Sequence, residues 1–448
     1  MKLFDNPKLL SSHFRNGMMI LPFYHYSIVS KLNEQGSFGI SKVPSSRKER
    51  LKNFCRGLRH FYIRRSKVLI FSHTAFEIEK DGQFYNSLHG YYYDLYKDDT
   101  LLMEDASEGF VWRTESSRSK LSFVNTYLMS FAGFLSGLFQ RFHSQRSKDY
   151  DVFISAYPDL FSEESLSRAD YYFSVYAFIL RLLFKIVAPK IVMVNCGSYG
   201  GNMAVVCYVA KRLGIKVIEV QHGSVYNNLA YEVSDIVYNS TEYKNYLPDV
   251  FFTFGDYWSK LVKWNYEKVS MGNPYLNEYV LPDKRDNYDY DYLIISQPLD
   301  DIFVGLNKSQ FVKDLSDAFP ESRILFRIHP AEDLEEQKEI YRECKNIDVV
   351  SASSILYKDF GRCHHIIGWY STCMFEVLAF NKIPIIIDTE PSREFFPHDI
   401  GIWVKSPDDL KNLNFNYKES LNLSFYFATD FEESVKEYMD KFVYNYEN

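Results

Sequence analysis

The sequence predicts an α/β protein with two lobes, each built around a parallel sheet. The chain has 448 residues, which at about 150 residues per domain is enough for two or three separate cores. Apolar runs bounded by turn residues alternate with longer helix-like stretches, as expected for βαβ units. Residues 271–291 contain two prolines and clustered charge without clear periodicity, so this segment divides the runs into two sets.

The predicted strands follow this division. In the first lobe they are residues 67–73, 100–105, 151–157, 190–195, 216–222 and 250–255. In the second lobe they are residues 292–297, 323–329, 347–352, 365–370, 383–388 and 402–406. We therefore expect an N-terminal lobe over 1–270, a linker over 271–291 and a C-terminal lobe over 292–448. The last helical stretch, 430–446, is expected to pack back across the interface between the lobes.

Two long apolar stretches, 127–139 and 171–187, are predicted to be buried helices. The first is shorter than the roughly 18 residues of a membrane span, and the second contains Arg181 and Lys185. The N-terminus lacks the apolar core of a secretory signal. The six cysteines show no CxxC spacing, which disfavours a zinc knuckle or a disulfide framework. We therefore expect a cytoplasmic location.

The overall charge disfavours a nucleic-acid partner. Lys and Arg number 51 against 58 Asp and Glu, a net charge of −7, whereas nucleic-acid binders are usually basic. The segment 42–67 differs, since it carries ten basic residues and one acidic residue among apolar ones. Such a segment is typical of a contact with an anionic membrane, here the inner face of the cytoplasmic membrane. A solvated helix face is the alternative.

The first candidate site lies in the segment 194–225. A predicted strand ends before a loop containing Gly200 and Gly201, and a second strand ends at Gln221, His222 and Gly223. Ligands of open parallel sheets bind at the carboxyl ends of strands, where glycines let backbone amides approach an anion. These residues are candidates for a phosphate or acceptor loop, although the spacing is not that of a dinucleotide fingerprint. A hydrogen-bonded structural histidine is the alternative for His222.

The second candidate site is RILFRIHPAED (323–333), where an apolar strand ends at His329 and Pro330 stops it. A histidine here can donate a hydrogen bond to a phosphate. Arg327 should point to the same side of the strand as His329. A histidine that caps a loop is the alternative.

The third candidate site follows the strand that ends near Tyr370. Ser371 and Thr372 stand where a helix N-cap is expected, and Glu376 follows one turn later. A helix N-terminus with two hydroxyl groups can bind an anion, although ordinary capping explains the same residues.

Carboxylates in the first lobe are candidates for a general base. The segment 72–96 is predicted to be a loop that faces a cleft between the lobes, and it contains Asp81. An Asp there could take the proton of an acceptor hydroxyl, but Asp81 and Gly82 are also a common turn pair. Glu104 and Asp105 form a second acidic pair in this lobe, after the predicted loop.

Together these motifs resemble the GT-B glycosyltransferases of bacterial surface polysaccharide synthesis. The resemblance rests on QHG (221–223), RIHP (327–330) and YSTCMFE (370–376), with FTFGDYW (252–258), MGNPY (271–275) and YLIISQP (292–298) as further similar segments. It implies a GT-B-like α/β fold in which two Rossmann-like lobes face a central cleft. It also implies a donor site formed by His329, Pro330, Ser371, Thr372 and Glu376, with Arg327 beside it.

The resemblance further implies a glycosyltransferase that moves a sugar from a nucleotide-sugar donor to an oligosaccharide or lipid-linked glycan. Among donors, a CMP-linked ulosonic acid such as Kdo or sialic acid is favoured. Gly368, Trp369 and Tyr370 replace the acidic pattern of the glycerophosphotransferases, which disfavours glycerol phosphate. The alternatives are a teichoic-acid-type phosphotransferase, a nucleotide-sugar epimerase and a non-catalytic glycan-binding protein. His222 and Asp81 are the catalytic candidates, and no metal or other cofactor is expected.

Overall fold

The computed structural model describes residues 6–32, 47–105, 117–142, 147–225, 229–231, 234–280, 288–298, 307–352, 354–411, 413 and 423–444. The chain forms two compact units. Unit 1 comprises Met1–Phe254, Trp258–Met271 and Asp430–Asn448, and unit 2 comprises Gly255–Tyr257 and Gly272–Thr429.

The strands are β1 (Val68–His73), β2 (Glu77–Lys80), β3 (Gln83–Asn86), β4 (Thr100–Asp105), β5 (Leu121–Ser122), β6 (Ile191–Val194), β7 (Lys216–Val220), β8 (Val250–Thr253), β9 (Glu267–Ser270), β10 (Tyr290–Ile295), β11 (Ile324–Arg327), β12 (Ile347–Val350), β13 (Cys363–Gly368), β14 (Pro384–Ile387) and β15 (Ile402–Val404).

The α-helices are α1 (Pro7–Leu10), α2 (Leu21–Leu32), α3 (Arg47–Gly57), α4 (Gly90–Leu95), α5 (Val124–Phe142), α6 (Lys148–Ala156), α7 (Glu163–Val187), α8 (Gly201–Arg212), α9 (Asp235–Asn239), α10 (Asp256–Leu261), α11 (Pro274–Asn277), α12 (Lys308–Ala318), α13 (Leu334–Ile340), α14 (Leu356–Arg362), α15 (Cys373–Glu376), α16 (Glu390–Phe395), α17 (Pro407–Lys411), α18 (Leu423–Tyr426) and α19 (Phe431–Val443). Short 3₁₀ turns cover Leu58–His60, Thr74–Phe76, Gly197–Tyr199, Leu229–Tyr231, Tyr243–Tyr246 and Val377–Phe380.

Unit 1 is built on a seven-stranded parallel sheet with the order β5-β4-β1-β6-β7-β8-β9. In chain order its first six strands therefore lie as 3-2-1-4-5-6, the order of the doubly wound Rossmann sheet. β2 and β3 form a separate antiparallel hairpin. The segment after β1, which the sequence predicts to be a loop, thus folds back on itself.

Unit 2 repeats this arrangement with six strands in the order β12-β11-β10-β13-β14-β15, all parallel. The order in the chain is again 3-2-1-4-5-6. The predicted fold class is confirmed, since each unit is a Rossmann-like α/β unit on a parallel sheet.

The C-terminal helix α19 belongs to the core of unit 1. Its buried side chains pack in the same cluster as Ile70 of β1 and Phe252 of β8. The Tyr438 hydroxyl donates to a Glu267 carboxylate oxygen over 2.6 Å. The second unit therefore ends at Thr429, whereas the sequence predicts a C-terminal lobe that extends to residue 448.

Several predicted elements differ from the structure. The predicted strand 151–157 lies largely in helix α6, which Ser147 caps by accepting a hydrogen bond from the Asp149 amide. Only Tyr150 and Phe153, three residues apart, are buried on this helix. A seven-residue apolar run can thus belong to one face of a helix as well as to a strand. The strands β5 and β9 are not predicted, because β5 has two residues and β9 is polar.

The long helices α5 and α7 occupy the two stretches predicted to be buried helices. α7 begins with a capping box in which Ser162 and Ser165 bond each other's backbone, and it ends at Ala188 in the left-handed conformation. Both helices have an outer face that is exposed to solvent. Within the described residues, no helix combines the length and apolarity needed to cross a membrane.

The glycine loop after β6 depends on a close backbone contact. Gly200 has a φ of +92°, and a Cβ atom there would collide with the carbonyl oxygen of Pro22. Gly201 has a φ of +60°, but a Cβ atom there would meet nothing within 4 Å. The two neighbours thus share a conformation that favours glycine, while steric exclusion applies only to Gly200.

We predict that Gly200→Ala lowers the melting temperature clearly more than Gly201→Ala does. The second variant should cost about 1 kcal/mol of left-handed strain, whereas the first also forces the Pro22 backbone to move. For a domain of this size each kcal/mol corresponds to roughly 2–4 °C. Differential scanning calorimetry of both variants tests this, and equal melting temperatures would show that the Pro22 contact is unimportant.

Candidate functional site

In both sheets the strand order reverses beside the first strand, between β1 and β6 in unit 1 and between β10 and β13 in unit 2. At such a point the connections leave toward opposite faces, and a crevice opens outside the carboxyl ends of the strands. Each unit therefore has its own candidate site, which we describe separately.

A buried polar network lies at the carboxyl end of the first two strands of unit 1. Ser72 of β1 lies beside Glu104 of β4 in the sheet register. The Asn86 side-chain amide donates to Glu104 Oε1 and to Ser72 Oγ, each over 2.8 Å. Ser72 Oγ in turn lies 2.9 Å from Nδ1 of the fully buried His89. The network thus joins a carboxyl group, an amide, a hydroxyl and an imidazole away from bulk water.

Glu104 is the most perturbed acid of this network. Burial raises its pKa well above the usual range, and repulsion from the nearby Glu77 carboxylate raises it further. The hydrogen bond from Asn86 opposes the shift. Two carboxyl groups at such close range favour a state with one proton between them. The pair of Glu77 and Glu104 therefore holds a proton to higher pH than a solvated glutamate does.

His222 follows β7 at the same edge of the sheet. Its ring packs against Phe76 and Tyr199, with centroids 6.0 and 5.6 Å away, and its Nε2 lies 3.7 Å from Cys196 Sγ. Burial lowers the pKa of His222 to about 4. The ring is therefore neutral near pH 7, which makes it a weak base and a suitable hydrogen-bonding group.

His89 and His222 are close enough to influence each other. Burial lowers the pKa of His89 to about 3, and the proximity of His222 adds to this shift. Both imidazoles are thus uncharged at neutral pH. The proton-holding groups of this site are therefore its carboxyl groups Glu104 and Asp105, whose pKa values burial raises.

Glu219 of β7 holds the glycine loop in place through hydrogen bonds. This buried carboxylate accepts hydrogen bonds from the Ser198 amide (3.0 Å), the Ser198 hydroxyl (2.6 Å) and the Tyr231 hydroxyl (3.1 Å). Burial raises the pKa of Glu219 to about 7, even though these bonds lower it. Glu219 therefore fixes the loop that carries Gly200 and Gly201.

Gln221 and Gly223 have structural roles in unit 1. The Gln221 amide nitrogen donates to the Gly223 carbonyl, and its oxygen accepts from the Phe254 amide, each over 2.8 Å. These bonds tie the end of β7 to the end of β8. They fix the backbone on both sides of His222, which lies between Gln221 and Gly223 in the chain.

Asp81 lies at the turn of the β2–β3 hairpin, with a φ of +54°. Its carboxylate is 82% exposed and lies 3.6 Å from Arg118. Asp81 is thus the turn residue of an exposed hairpin.

Glu104, from the second acidic pair of the sequence, lies in the buried network. Its neighbour Asp105 accepts both Asn125 amide hydrogen bonds, and burial raises the pKa of Asp105 to about 7.

In unit 2, His329 follows β11 and Pro330 opens a turn closed by the Glu332 amide and the His329 carbonyl, 2.9 Å apart. The His329 Nδ1 accepts a hydrogen bond from the Ala331 amide over 3.1 Å. An accepting Nδ1 leaves the proton on Nε2 of the neutral ring. Burial lowers the pKa of His329, which favours this neutral form with an available Nε2–H donor.

A buried ion pair positions His329. The Glu332 carboxylate accepts the His329 amide over 2.7 Å and pairs with the ammonium of Lys308. Lys308 also donates to the Gln297 carbonyl (2.9 Å) and to Ser296 Oγ (3.2 Å) at the end of β10. This pair connects the ends of the first two strands of the unit. Sequence reasoning missed it, although Glu332 stands within the same HPAED motif.

Arg327 is buried and bound within unit 2. Its guanidinium donates to Asp359 Oδ2 and Ser354 Oγ over 2.6 Å each, and to the Ala352 carbonyl over 2.9 Å. A further bond reaches the Ser354 carbonyl. The residue thus connects β11 to the loop after β12, and most of its donors are already used inside the unit.

Ser371 and Thr372 precede the four-residue helix α15, and Thr372 makes no side-chain cap. The expected N-cap is therefore not formed, and Ser371 Oγ instead lies 2.8 Å from Cys373 Sγ. Glu376 lies at the end of this helix. Burial raises the pKa of Glu376 to about 7, while a hydrogen bond from Tyr357 lowers it. Glu376, beside the ring cluster around Tyr357, is thus a carboxyl group of unit 2 with a raised pKa.

Part of the basic segment 42–67 lies outside the described residues, and the rest forms α3, the turn Leu58–His60 and the irregular stretch 61–67. Lys67, at the end of this segment, pairs with Asp99 over 3.3 Å. No group of three or more acidic, histidine or cysteine side chains suited to a metal ion occurs among the residues that the structure describes.

The two Rossmann-like sheets, each with polar residues at its switch point, place the chain in the class of two-unit α/β proteins. Among solved structures it is similar to the UDP-GlcNAc 2-epimerase from Methanocaldococcus jannaschii, with 13% identity over 83% of this chain and 98% of that one and a TM-score of 0.47. It is similar to S. aureus MnaA, solved with UDP, with 11% identity over 85% and 97% of the chains and a TM-score of 0.48.

A third similar structure is CalG4, the calicheamicin glycosyltransferase, with 10% identity over 85% of this chain and 94% of that one and a TM-score of 0.44. Similar structures thus include both glycosyltransferases and UDP-GlcNAc 2-epimerases. No family model and no curated protein sequence matches the chain.

We predict that Glu219→Gln flattens the pH dependence of stability. The folded-state pKa of about 7 exceeds the ordinary value of 4.5, so Glu219 binds its proton more tightly in the folded state. The stabilisation that Glu219 contributes is fully present below pH 4.5, its ordinary pKa, and is lost as the pH rises to about 7. The whole effect is about 3 kcal/mol. Melting curves from about pH 4.5 to pH 8 should fall more steeply for the wild type, whereas parallel curves would contradict the prediction.

Proposed function

We propose that the chain is a glycosyltransferase that moves a sugar from a nucleotide-activated donor to a growing bacterial surface glycan. A CMP-linked ulosonic acid, Kdo or sialic acid, is the favoured donor. The observation that carries the proposal is the contact between the buried Glu104 and the partly exposed Glu77, beside the carboxyl ends of β1 and β4 in unit 1. A carboxyl group with a raised pKa beside a second carboxyl group suits general acid-base chemistry on a sugar hydroxyl.

In this proposal the Glu77–Glu104 pair takes the proton of the acceptor hydroxyl as that oxygen attacks the donor sugar. The raised pKa of Glu104 makes the pair a stronger base than a solvated glutamate. His222 is neutral because of its lowered pKa, so it holds the sugar by a hydrogen bond. The sequence leaves open whether His222 or Asp81 is the general base. In this proposal the carboxyl pair is the base, and His222 binds the sugar.

The donor would bind to unit 2, as the sequence motifs imply. The Nε2–H of His329 is available to a phosphate oxygen of the donor, where negative charge grows as the bond to the sugar breaks. Glu376 is a carboxyl group suited to accept hydrogen bonds from the hydroxyls of a nucleotide ribose. Arg327 would contribute by fixing β11 and the loop after β12, since Asp359 already neutralises its charge.

The proposal also includes a cytoplasmic location and an oligosaccharide or lipid-linked acceptor at the membrane. The basic residues of the segment 42–67 would attract the enzyme to anionic lipids. This charge is consistent with an acceptor that is anchored in the bilayer.

Incubation with CMP-Kdo, CMP-sialic acid and UDP-GlcNAc, each with and without acceptor glycans, tests the proposed function. Release of free CMP together with a longer glycan supports the proposal. A changed nucleotide-sugar without nucleotide release would instead identify an epimerase. Transfer of a phosphoalcohol from a CDP-linked donor would identify a phosphotransferase. Binding without any turnover would identify a glycan-binding protein.

We predict that Glu104→Gln lowers turnover by about 100-fold or more while donor affinity stays the same, because the amide cannot accept the proton. Asp81→Asn is the matched control, since that carboxylate is 82% exposed at a hairpin turn, and it should retain near wild-type turnover. His222→Asn should mainly raise the KM for the acceptor. Initial rates of nucleotide release at saturating donor measure all three variants. The reverse order of Glu104→Gln and Asp81→Asn would place the base at Asp81.

We also predict that His329→Ala weakens donor binding or leaving-group departure by about 1–3 kcal/mol. The variant removes the Nε2–H donor while the buried pair of Lys308 and Glu332 stays in place. His398→Ala is the control, because His398 is an exposed histidine of the same unit. Calorimetric titration with the donor and steady-state rates test this. Unchanged affinity together with unchanged turnover would exclude His329 from the donor site.

A further inference from the structure

Unit 1 exposes an unusual concentration of large apolar side chains. Among the described residues, all of the exposed large hydrophobics except Tyr444 lie on three segments: α3 with its following turn, α5 and α7. The side chains are Leu51, Leu58 and Phe61, then Phe131, Phe134, Leu138 and Phe139, and finally Phe178, Leu182 and Ile186. A contiguous apolar surface of this kind usually marks a binding surface.

On α7 the exposed apolar residues form one stripe. Phe178, Leu182 and Ile186 follow one another at intervals of four residues, which places them on the same side of a helix. Phe178 is 62% exposed and Ile186 is 56% exposed. Arg181 and Lys185 are also exposed and fall on this side. The stripe thus alternates apolar and basic side chains.

On α5 a similar stripe contains Phe131, Phe134 and Leu138, with Phe134 63% exposed. α5 packs along α7, and α7 packs along α8, so these helices form one layer on the sheet. Phe139 of α5 stacks on Tyr171 of α7 with a centroid distance of 6.2 Å. Because both helices lie in the same layer, their outward stripes face the same side of the unit. We call the two stripes together the docking face.

Basic charge predominates around the docking face, and the acidic residues beside it, Glu163 and Glu164, lie at the start of α7 near the end of α5. Residues 124–142 and 171–190 contain no Asp or Glu, and residues 47–67 contain nine Lys or Arg and one Glu. Phe54 of α3 packs on Tyr127 of α5 with a centroid distance of 4.8 Å, so the basic helix adjoins the face. The chain as a whole carries a net charge of −7. Its basic charge is therefore segregated beside its exposed apolar side chains.

We propose that the docking face binds an anionic phospholipid surface. Phe and Leu side chains of the two stripes would enter the acyl boundary, while Arg181 and Lys185 extend to the headgroup phosphates. A second copy of the chain is a poorer occupant, because it would bring one basic surface against another. The proposal deepens the membrane location within the proposed function by naming the helices that make the contact, and it does not depend on catalysis.

The test uses the full chain and vesicles of phosphatidylcholine alone or mixed with phosphatidylglycerol. We expect sedimentation with the mixed vesicles, weaker binding to neutral ones and a decrease at high salt. The double variant Phe134→Ser with Phe178→Ser should lose at least about tenfold in affinity, as should Arg181→Gln with Lys185→Gln. The control is Lys338→Gln with Arg342→Gln, exposed basic residues of unit 2, which should bind as the wild type does.

A second measurement does not depend on how well these variants fold. Tryptophan placed by Phe178→Trp should be quenched by brominated lipid in mixed vesicles, whereas Trp placed by Phe319→Trp in unit 2 should not. Absence of quenching, or wild-type binding by the Phe134→Ser and Phe178→Ser variant, would overturn the proposal. Concentration-dependent dimers that this variant abolishes would also overturn it, in favour of self-association. Nucleotide release from soluble donor should be unchanged in the variant, so failure of membrane binding and failure of the enzymatic proposal are separately visible.

Discussion

Parallel strand pairing in the order 3-2-1-4 is the constraint on which both candidate sites depend. Because the first and fourth strands are neighbours but their connections leave on opposite faces, polar groups can gather beyond their ends. In unit 1 this edge holds Glu104 and His222, and in unit 2 it holds the Lys308–Glu332 pair with His329. The same backbone arrangement therefore produces two chemically different sites.

The two sites differ in how their charge is balanced. In unit 2, opposite charges are paired at short range, as in Lys308 with Glu332 and Arg327 with Asp359. Such pairs fix geometry and leave little net charge. In unit 1, burial and a like charge act together on Glu104, and the nearby imidazoles are neutral. Unit 2 thus suits rigid binding, while the carboxyl pair of unit 1 suits proton transfer.

Much of the fold follows from the sequence, because most sheet strands are continuous apolar runs that end at turn residues. The positions of His222 and His329 at strand ends could be predicted for the same reason, since each follows such a run. The carboxyl network could not be predicted from the sequence, because it forms only when the β2–β3 hairpin brings Asn86 and Glu77 back to Glu104 of β4. Arg327 was expected beside the donor site, but its guanidinium is bound inside unit 2. The sequence could not show this, because its partner Asp359 lies 32 residues away. Similarly, periodicity predicts α5 and α7 but not which part of their surface stays uncovered.

The most direct test of the account is the titration of Glu104 itself. In protein labelled with ¹³C at glutamate carboxyl groups, NMR should show a signal that is absent from Glu104→Gln and titrates well above the usual glutamate range. The same signal should move to a lower pKa in Glu77→Gln, because the repelling neighbour is gone. If the signal missing from Glu104→Gln instead titrates near the ordinary value of 4.5 in the wild type, the pKa of Glu104 is not raised by its burial and its neighbour, and the central claim is wrong.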